Sequence, residues 1–203
     1  HSYTSYKRII IQRTMYMNLK EMTPNTFRLM LLLAAAAAGM ICGAFSCSGD
    51  TAYEFAERLI EARRYAPAGS IILSSFRGTF ILTAVCFLMG FSAVFQPAEA
   101  VVPFIFGTGF GYAAAAVFSA EKGLFCLLLM IPGAAAAAVA VAAAARESMR
   151  MSLAVFRRTF IPEKYCPADI GLYIRKFMII TAMAAGAAIT DGICAVIYSI
   201  IGK

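Results

Sequence analysis

Histidine and tryptophan are nearly missing from this chain, which has one histidine, His1, and no tryptophan among its 203 residues. Because the usual zinc sites and the histidine-dependent catalytic triads need imidazole, this scarcity argues against both. No two of the six cysteines have the CxxC spacing of metal and redox motifs, and four of them fall within apolar runs. The sequence therefore predicts no catalytic residue, no metal site and no cofactor.

Charged residues are also scarce, at 14% of the chain against about 25% in soluble domains. They cluster in three stretches, while 61% of the residues are hydrophobic and the mean hydropathy is +0.76. The formal net charge of +7 does not indicate nucleic-acid binding, because the basic residues flank apolar runs instead of following one face between aromatic residues. Membrane lipids are the partners that this composition predicts.

Five apolar runs are long enough to cross a bilayer, whose core of about 30 Å needs about 20 helical residues. The sequence thus predicts an all-α polytopic transmembrane helix bundle of about five spans, forming one domain over 29–203 behind an N-terminal segment, 1–28. The second span is short and is followed at once by Gln96-Pro97, so spans two and three are expected to form a tight hairpin, with a re-entrant hairpin as the alternative. The predicted spans are 29–46, 79–95, 101–120, 124–145 and 177–201.

The basic residues predict the orientation, because cytoplasmic loops are enriched in lysine and arginine. With the N-terminus inside, twelve basic residues are cytoplasmic and six are outside. This places the C-terminus and the loop 47–78 outside and the loop 146–176 inside. The first span is interpreted as a retained anchor, not a signal peptide, because its apolar core exceeds the usual 7–15 residues. Residues 1–20 show no clear helical or strand period. They are interpreted as a tag, as the edge of a fragment or as an extension upstream of the native start, and the sequence does not distinguish these three interpretations.

Two helices are predicted outside the spans. Thr51 and Glu54 have the spacing of a capping box, and Phe55 and Leu59 lie on the apolar face of the amphipathic helix that follows. This outer helix either packs on the membrane or its own spans, or docks an extracytoplasmic partner. An inner interfacial helix is predicted over 146–160, continuing from span four with its arginines near lipid headgroups.

Small residues predict how the spans pack, because close backbone approach is the main packing device between helices in lipid. The expected helix-packing or partner-interface residues are Gly39, Gly43, Gly107, Gly109 and Gly111.

Two prolines and one acid stand out within the spans. Pro103 and Pro132 are expected to kink spans three and four, since proline removes a backbone hydrogen bond. Asp191 is interpreted as the one ionisable residue deep in a span, where a charge costs about 2.5–3.5 kcal/mol and requires a partner or water.

The order of these features resembles the stage II sporulation protein M family of bacterial membrane proteins, over about residues 27–200. The resemblance follows Gly39-Met-Ile-Cys-Gly43, the helical loop, Phe104-Ile-Phe-Gly107-Thr-Gly109, the run from Gly123 to Pro132, and the acid at Asp191. Gly133-Ala134-Ala135 departs from it, because many broader relatives have polar residues after that proline.

The resemblance implies a non-catalytic scaffold in the bacterial cell membrane that recruits or localises peptidoglycan hydrolases, extracytoplasmic or membrane-anchored, during endospore engulfment. The alternative function is a small transporter or channel subunit that uses spans three and four, with Asp191 as a coupling acid. Self-association of the chain stays open under both.

Overall fold

The structure is a computed structural model that describes residues 24–92, 98–120, 123–160 and 170–201. All regular structure in these ranges is helical, which confirms the all-α prediction. A 3₁₀ turn, Ala98–Ala100, leads directly into the fourth helix. The α-helices are α1 (Pro24–Ser46), α2 (Asp50–Tyr65), α3 (Ala68–Met89), α4 (Val101–Ser119), α5 (Gly123–Phe160) and α6 (Ile170–Ile201).

Five of these helices, all except α2, are long and apolar enough to cross a membrane, so the chain is a membrane protein. The helix α3 and the unit formed by the 3₁₀ turn and α4 each have 22 residues. At 1.5 Å per residue each extends about 33 Å, which suffices for a full crossing. These lengths favour two full crossings over a re-entrant hairpin.

The spans alternate in direction through the bundle. Helices α1 and α4 run parallel, because Gly39 lies at Phe104 and Gly43 lies farther along, at Thr108. Helix α6 runs antiparallel to α5, since Gly133 adjoins Asp191 while Glu147, later on α5, meets Lys176, earlier on α6. Helix α3 is also antiparallel to α6, with its Ile72 near Gly192 and its Phe87 near Tyr173. The start of α1 and the end of α6 therefore lie at opposite ends of the bundle; the end that carries α2 is called the α2 end below.

The second span lies earlier in the sequence than predicted, at Ala68–Met89 instead of 79–95. Its polar residues fit a helix in lipid because their hydroxyls bond to carbonyls one turn back: Ser74 Oγ to Ile71 O at 2.9 Å, and Thr79 Oγ1 to Ser75 O at 3.1 Å. Arg77 is thus inside a span, and the expectation that Asp191 is the one ionisable residue there is wrong.

The predicted amphipathic helix is confirmed as α2, but the capping box is wrong. Helix α2 begins at Asp50, after Gly49 with φ of 83°, and no side chain caps it. Its apolar face packs on the chain's own spans, with Leu59 and Ile60 against the cluster that includes Val117 and Tyr198. The stretch 146–160 is the continuation of α5.

An ion cluster joins α5 to α6 at the end opposite α2. Glu147 accepts hydrogen bonds from Lys176 Nζ at 2.7 Å and from Arg146 Nη2 at 2.9 Å. The predictions on residues 1–20 and on the chain between α5 and α6, 161–169, lie outside the described residues.

Candidate functional site

An ion pair inside the bundle joins α2 to the last span. Arg63 on α2 donates from Nη2 to Asp191 Oδ1 on α6 at 2.7 Å, and the two side chains are 9% and 11% exposed. The predicted need of Asp191 for a partner is met by a residue from outside the spans. Because a charge-assisted bond is strong in a dry environment, this pair holds α2 against the bundle.

Sequence reasoning missed Arg63, although a signal for it was present. Arg63 follows Ala52, Ala56 and Leu59 on the apolar face of α2, at the next helical position toward the bundle. A cation on a buried face requires an acid nearby, and Asp191 on α6 is the acid that Arg63 meets.

Arg63 retains hydrogen-bonding capacity beyond its bond to Asp191. Its Nε and Nη1 atoms are buried, and neither has a hydrogen-bond partner among the described residues. A buried donor without an acceptor costs about 1–3 kcal/mol, so a group outside the described residues or a bound molecule would stabilise it. Arg63 therefore has two buried donors that lack an acceptor among the described residues.

The ion pair lies at a groove between α3 and α4, called the α3–α4 groove below. The two helices pack mainly on other spans, so they leave a cavity of about 350 Å³ between them, with α5 as its floor. Gly133 allows α5 to approach α6 here, because a Cβ at that position would lie 2.8 Å from Asp191 Cβ. The lining residues include Arg63, Asp191, Ser74, Ser75, Gly78, Thr79, Leu82, Phe106, Gly109, Phe110, Met130 and Gly133.

The glycines divide between two roles. A Cβ on Gly39 or Gly43 would overlap the backbone of α4, and a Cβ on Gly107 or Gly111 would overlap the backbone of α1. These four glycines therefore form the contact between α1 and α4 within one chain. Gly109 points elsewhere: nothing lies within 4 Å of its Cβ position, and it lines the α3–α4 groove.

The two prolines also occupy different environments. Pro103 is buried and is the third residue of α4, inside the first turn, where amide hydrogens lack partners in the helix. It therefore interrupts no bond of that helix. Pro132 lies inside α5, next to Gly133 of the groove floor.

The two apolar residues predicted for partner docking, Phe55 and Leu59, differ in how far the spans bury them. Leu59 is half-buried against the spans. Phe55 is 41% exposed and contacts the Tyr112 ring edge-on, with centroids 5.5 Å apart. The exposed surface of α2 is its polar face, which includes Glu54, Glu57 and Glu61.

A second buried acid lies at the end opposite α2. Glu99 is fully buried in the 3₁₀ turn, and the Ser148 hydroxyl lies 2.9 Å from its Oε1 and 2.5 Å from the Cys86 carbonyl. Glu99 Oε2 has no partner among the described residues. Tyr173 extends this polar layer by donating to Phe87 O at 3.0 Å. The layer joins α3, the 3₁₀ turn, α5 and α6.

Comparison with known proteins gives no match for this chain among protein-family models, curated proteins or solved structures. Within the described residues no group of three or more His, Cys, Asp or Glu side chains is arranged to hold a metal ion.

Proposed function

We propose that this protein is a non-catalytic membrane scaffold whose helix α2 presents a docking surface to a partner outside the membrane. The observation that supports it most directly is the 2.7 Å ion pair between Arg63 and Asp191, which fixes α2 in a set position on the spans. A docking helix held in place loses little entropy when a partner binds.

The docking surface proposed is the polar face of α2, because its apolar face is occupied by the spans. Glu57 and Glu61 line a shallow cavity with Tyr53, Tyr65 and Arg64 at the α2 end. Exposed acids beside tyrosine rings would fit a partner surface with basic and hydrogen-bonding groups, since tyrosines are enriched at interfaces.

The partner class comes from the resemblance to the stage II sporulation protein M family. On that basis we propose peptidoglycan hydrolases as the partners and the bacterial cell membrane as the location, with the α2 end facing outward, in agreement with the distribution of basic residues.

Affinity capture from gently solubilised membranes tests this function. Wild-type protein is expected to retain cell-wall hydrolases, and Glu57→Lys with Glu61→Lys is expected to lose them without a change in melting temperature. Arg175→Glu is the control, because Arg175 is exposed near the other end of the bundle. Equal capture by all three proteins would contradict the docking surface, and solute-binding or ATPase subunits in place of hydrolases would contradict the scaffold.

A carrier is the second candidate function, and the α3–α4 groove favours it because three spans line a cavity of about 350 Å³ beside Asp191. In that case the Arg63–Asp191 bond would have to open and close during transport.

A further inference from the structure

The α3–α4 groove has a polar wall and an apolar wall. Helix α3 contributes the hydroxyl residues Ser74, Ser75 and Thr79, while Leu82 farther along α3 and Phe106 and Phe110 on α4 are apolar. Such a division suits an amphiphile, whose polar head and apolar chain need different surroundings.

The groove opens sideways, toward the space that lipid occupies around a membrane bundle. Ser74 and Gly78 on α3 and Gly109 on α4 line the groove and are also exposed. Neither glycine has an atom within 4 Å of its Cβ position, so no side chain closes the opening. A molecule could enter from the surrounding leaflet without passing through the bundle.

Arg77 does not line the groove itself but lies beside its opening, one helical turn after Ser74. It is exposed on α3 between Phe76 and Gly78, and no hydrogen bond or ion pair with the described residues satisfies it. Because helical side chains lean toward the N-terminus, the Arg77 guanidinium extends toward the α2 end, the direction of Ser74 and Arg63. An unpaired arginine in a span marks a site for an acidic group.

The charges around the groove sum to an excess of one positive charge. Arg63 in the lining and Arg77 beside the opening contribute two cations, and Asp191 in the lining contributes one carboxylate. The Arg63 Nε and Nη1 atoms supply buried donors without acceptors. Arginine donors and hydroxyls together are typical ligands of a phosphate group.

We propose that the α3–α4 groove binds an anionic phospholipid from the leaflet at the α2 end. The phosphate lies beside Arg77 and the hydroxyls of α3, on the side of the unpartnered Arg63 donors, and an acyl chain lies along Leu82 and Phe106.

A second copy of this chain is a poorer occupant. Of the acids that the structure describes, Glu99, Glu147 and Asp191 are buried, and the others lie on α2. A second bundle thus offers no exposed acid on a described span to neutralise Arg77. A lipid phosphate brings the required charge and enters from the side.

Lipid binding to the purified full chain in detergent tests this proposal. The probes are phosphatidylglycerol and phosphatidylcholine with identical acyl chains, measured by native mass spectrometry and by the shift in melting temperature. Phosphatidylglycerol is expected to bind more tightly, because phosphatidylcholine carries no net charge. Arg77→Gln is expected to weaken phosphatidylglycerol binding about fivefold, the usual contribution of one arginine to anionic lipid. Arg175→Gln is expected to change nothing, because that exposed arginine lies far from the groove.

Two further variants separate the groove from general surface charge. Gly109→Leu is expected to reduce phosphatidylglycerol binding by filling the groove while melting without lipid stays unchanged. Arg63→Gln with Asp191→Asn removes both buried charges together and is expected to weaken binding by removing the Arg63 donors.

Four results would overturn the proposal. Equal binding of the two lipids would remove the charge argument, and equal loss in Arg77→Gln and Arg175→Gln would assign binding to the general surface. An Arg77-dependent effect of inorganic phosphate as large as that of the lipid would assign the site to a free anion. An Arg77-dependent dimer without bound lipid would assign it to a second copy.

Discussion

Arg63 and Asp191 are 128 residues apart in the sequence, yet they form one buried 2.7 Å ion pair between α2 and α6. The pair defines the position of α2 on the bundle and forms part of the lining of the α3–α4 groove. The proposed docking helix and the proposed lipid site therefore share this contact.

Removing one partner of this pair is expected to cost more than removing both charges. Arg63→Gln or Asp191→Asn alone leaves a buried charge unpaired and should lower the free energy of unfolding by about 3 kcal/mol. The double variant should recover about 2 kcal/mol of the summed loss, as measured by unfolding of the purified protein in mixed micelles. Strict additivity of the two single effects would show that the pair does not form in the folded protein.

The glycines of α4 are expected to differ in their tolerance of a side chain. Gly111→Leu should separate α1 from α4 and lower the melting temperature strongly, because its Cβ would overlap the Met40 backbone. Gly109→Leu should leave the melting temperature unchanged, since it points into open space. Thermal melting in detergent measures both variants. Equal destabilisation would contradict the division of roles.

Ser148 is expected to contribute to the stability of the folded protein, because its hydroxyl lies beside the buried carboxyl group of Glu99. Ser148→Ala leaves both oxygens of that carboxyl without a partner among the described residues, which should cost about 1–3 kcal/mol. The double variant Ser148→Ala with Glu99→Met should recover most of the lost stability, because the side chains at both positions are then apolar and pack against each other. If the double variant melts below Ser148→Ala, Glu99 must have a further partner.

The sequence predicted the positions of most helices well and the contacts between them less well. Four spans and α2 could be located because long apolar runs and a helical period are local properties of the chain. The start of the second span was missed because Arg77 looked like a loop residue, whereas the helix continues through it. Charge alone does not define a helix end when neighbouring hydroxyls bond to the backbone.

The candidate site could be predicted only in part. The position of Asp191 in an apolar run showed that a partner was required, but which cation it meets depends on how α2 folds back over the bundle. The glycine pattern likewise predicted close packing, yet helix rotation decides that Gly107 meets α1 and Gly109 meets the groove.

Orientation in the membrane is expected to follow the basic residues, with the start of the chain in the cytoplasm. Single cysteines near Asn18 and near Lys203, placed in a cysteine-free variant, should react with an impermeant reagent from opposite sides. Matching reactivity at the two positions would require an even number of crossings and contradict the five-span bundle.

The last prediction separates the scaffold from the carrier by using the Arg63–Asp191 pair in its neutral form. The double variant Arg63→Gln with Asp191→Asn keeps two polar side chains that can bond to each other, so α2 should stay in place. A scaffold should then retain hydrolase capture within about twofold of wild type. A proton-coupled carrier should lose pH-driven uptake in vesicles, because neither amide can release a proton at neutral pH.

Leu59→Asp serves as the comparison, since it should displace α2 from the spans and lose capture together with melting stability. Capture that survives Leu59→Asp would show that α2 is not the docking helix, and a vesicle flux that disappears in the double variant would assign the chain to transport.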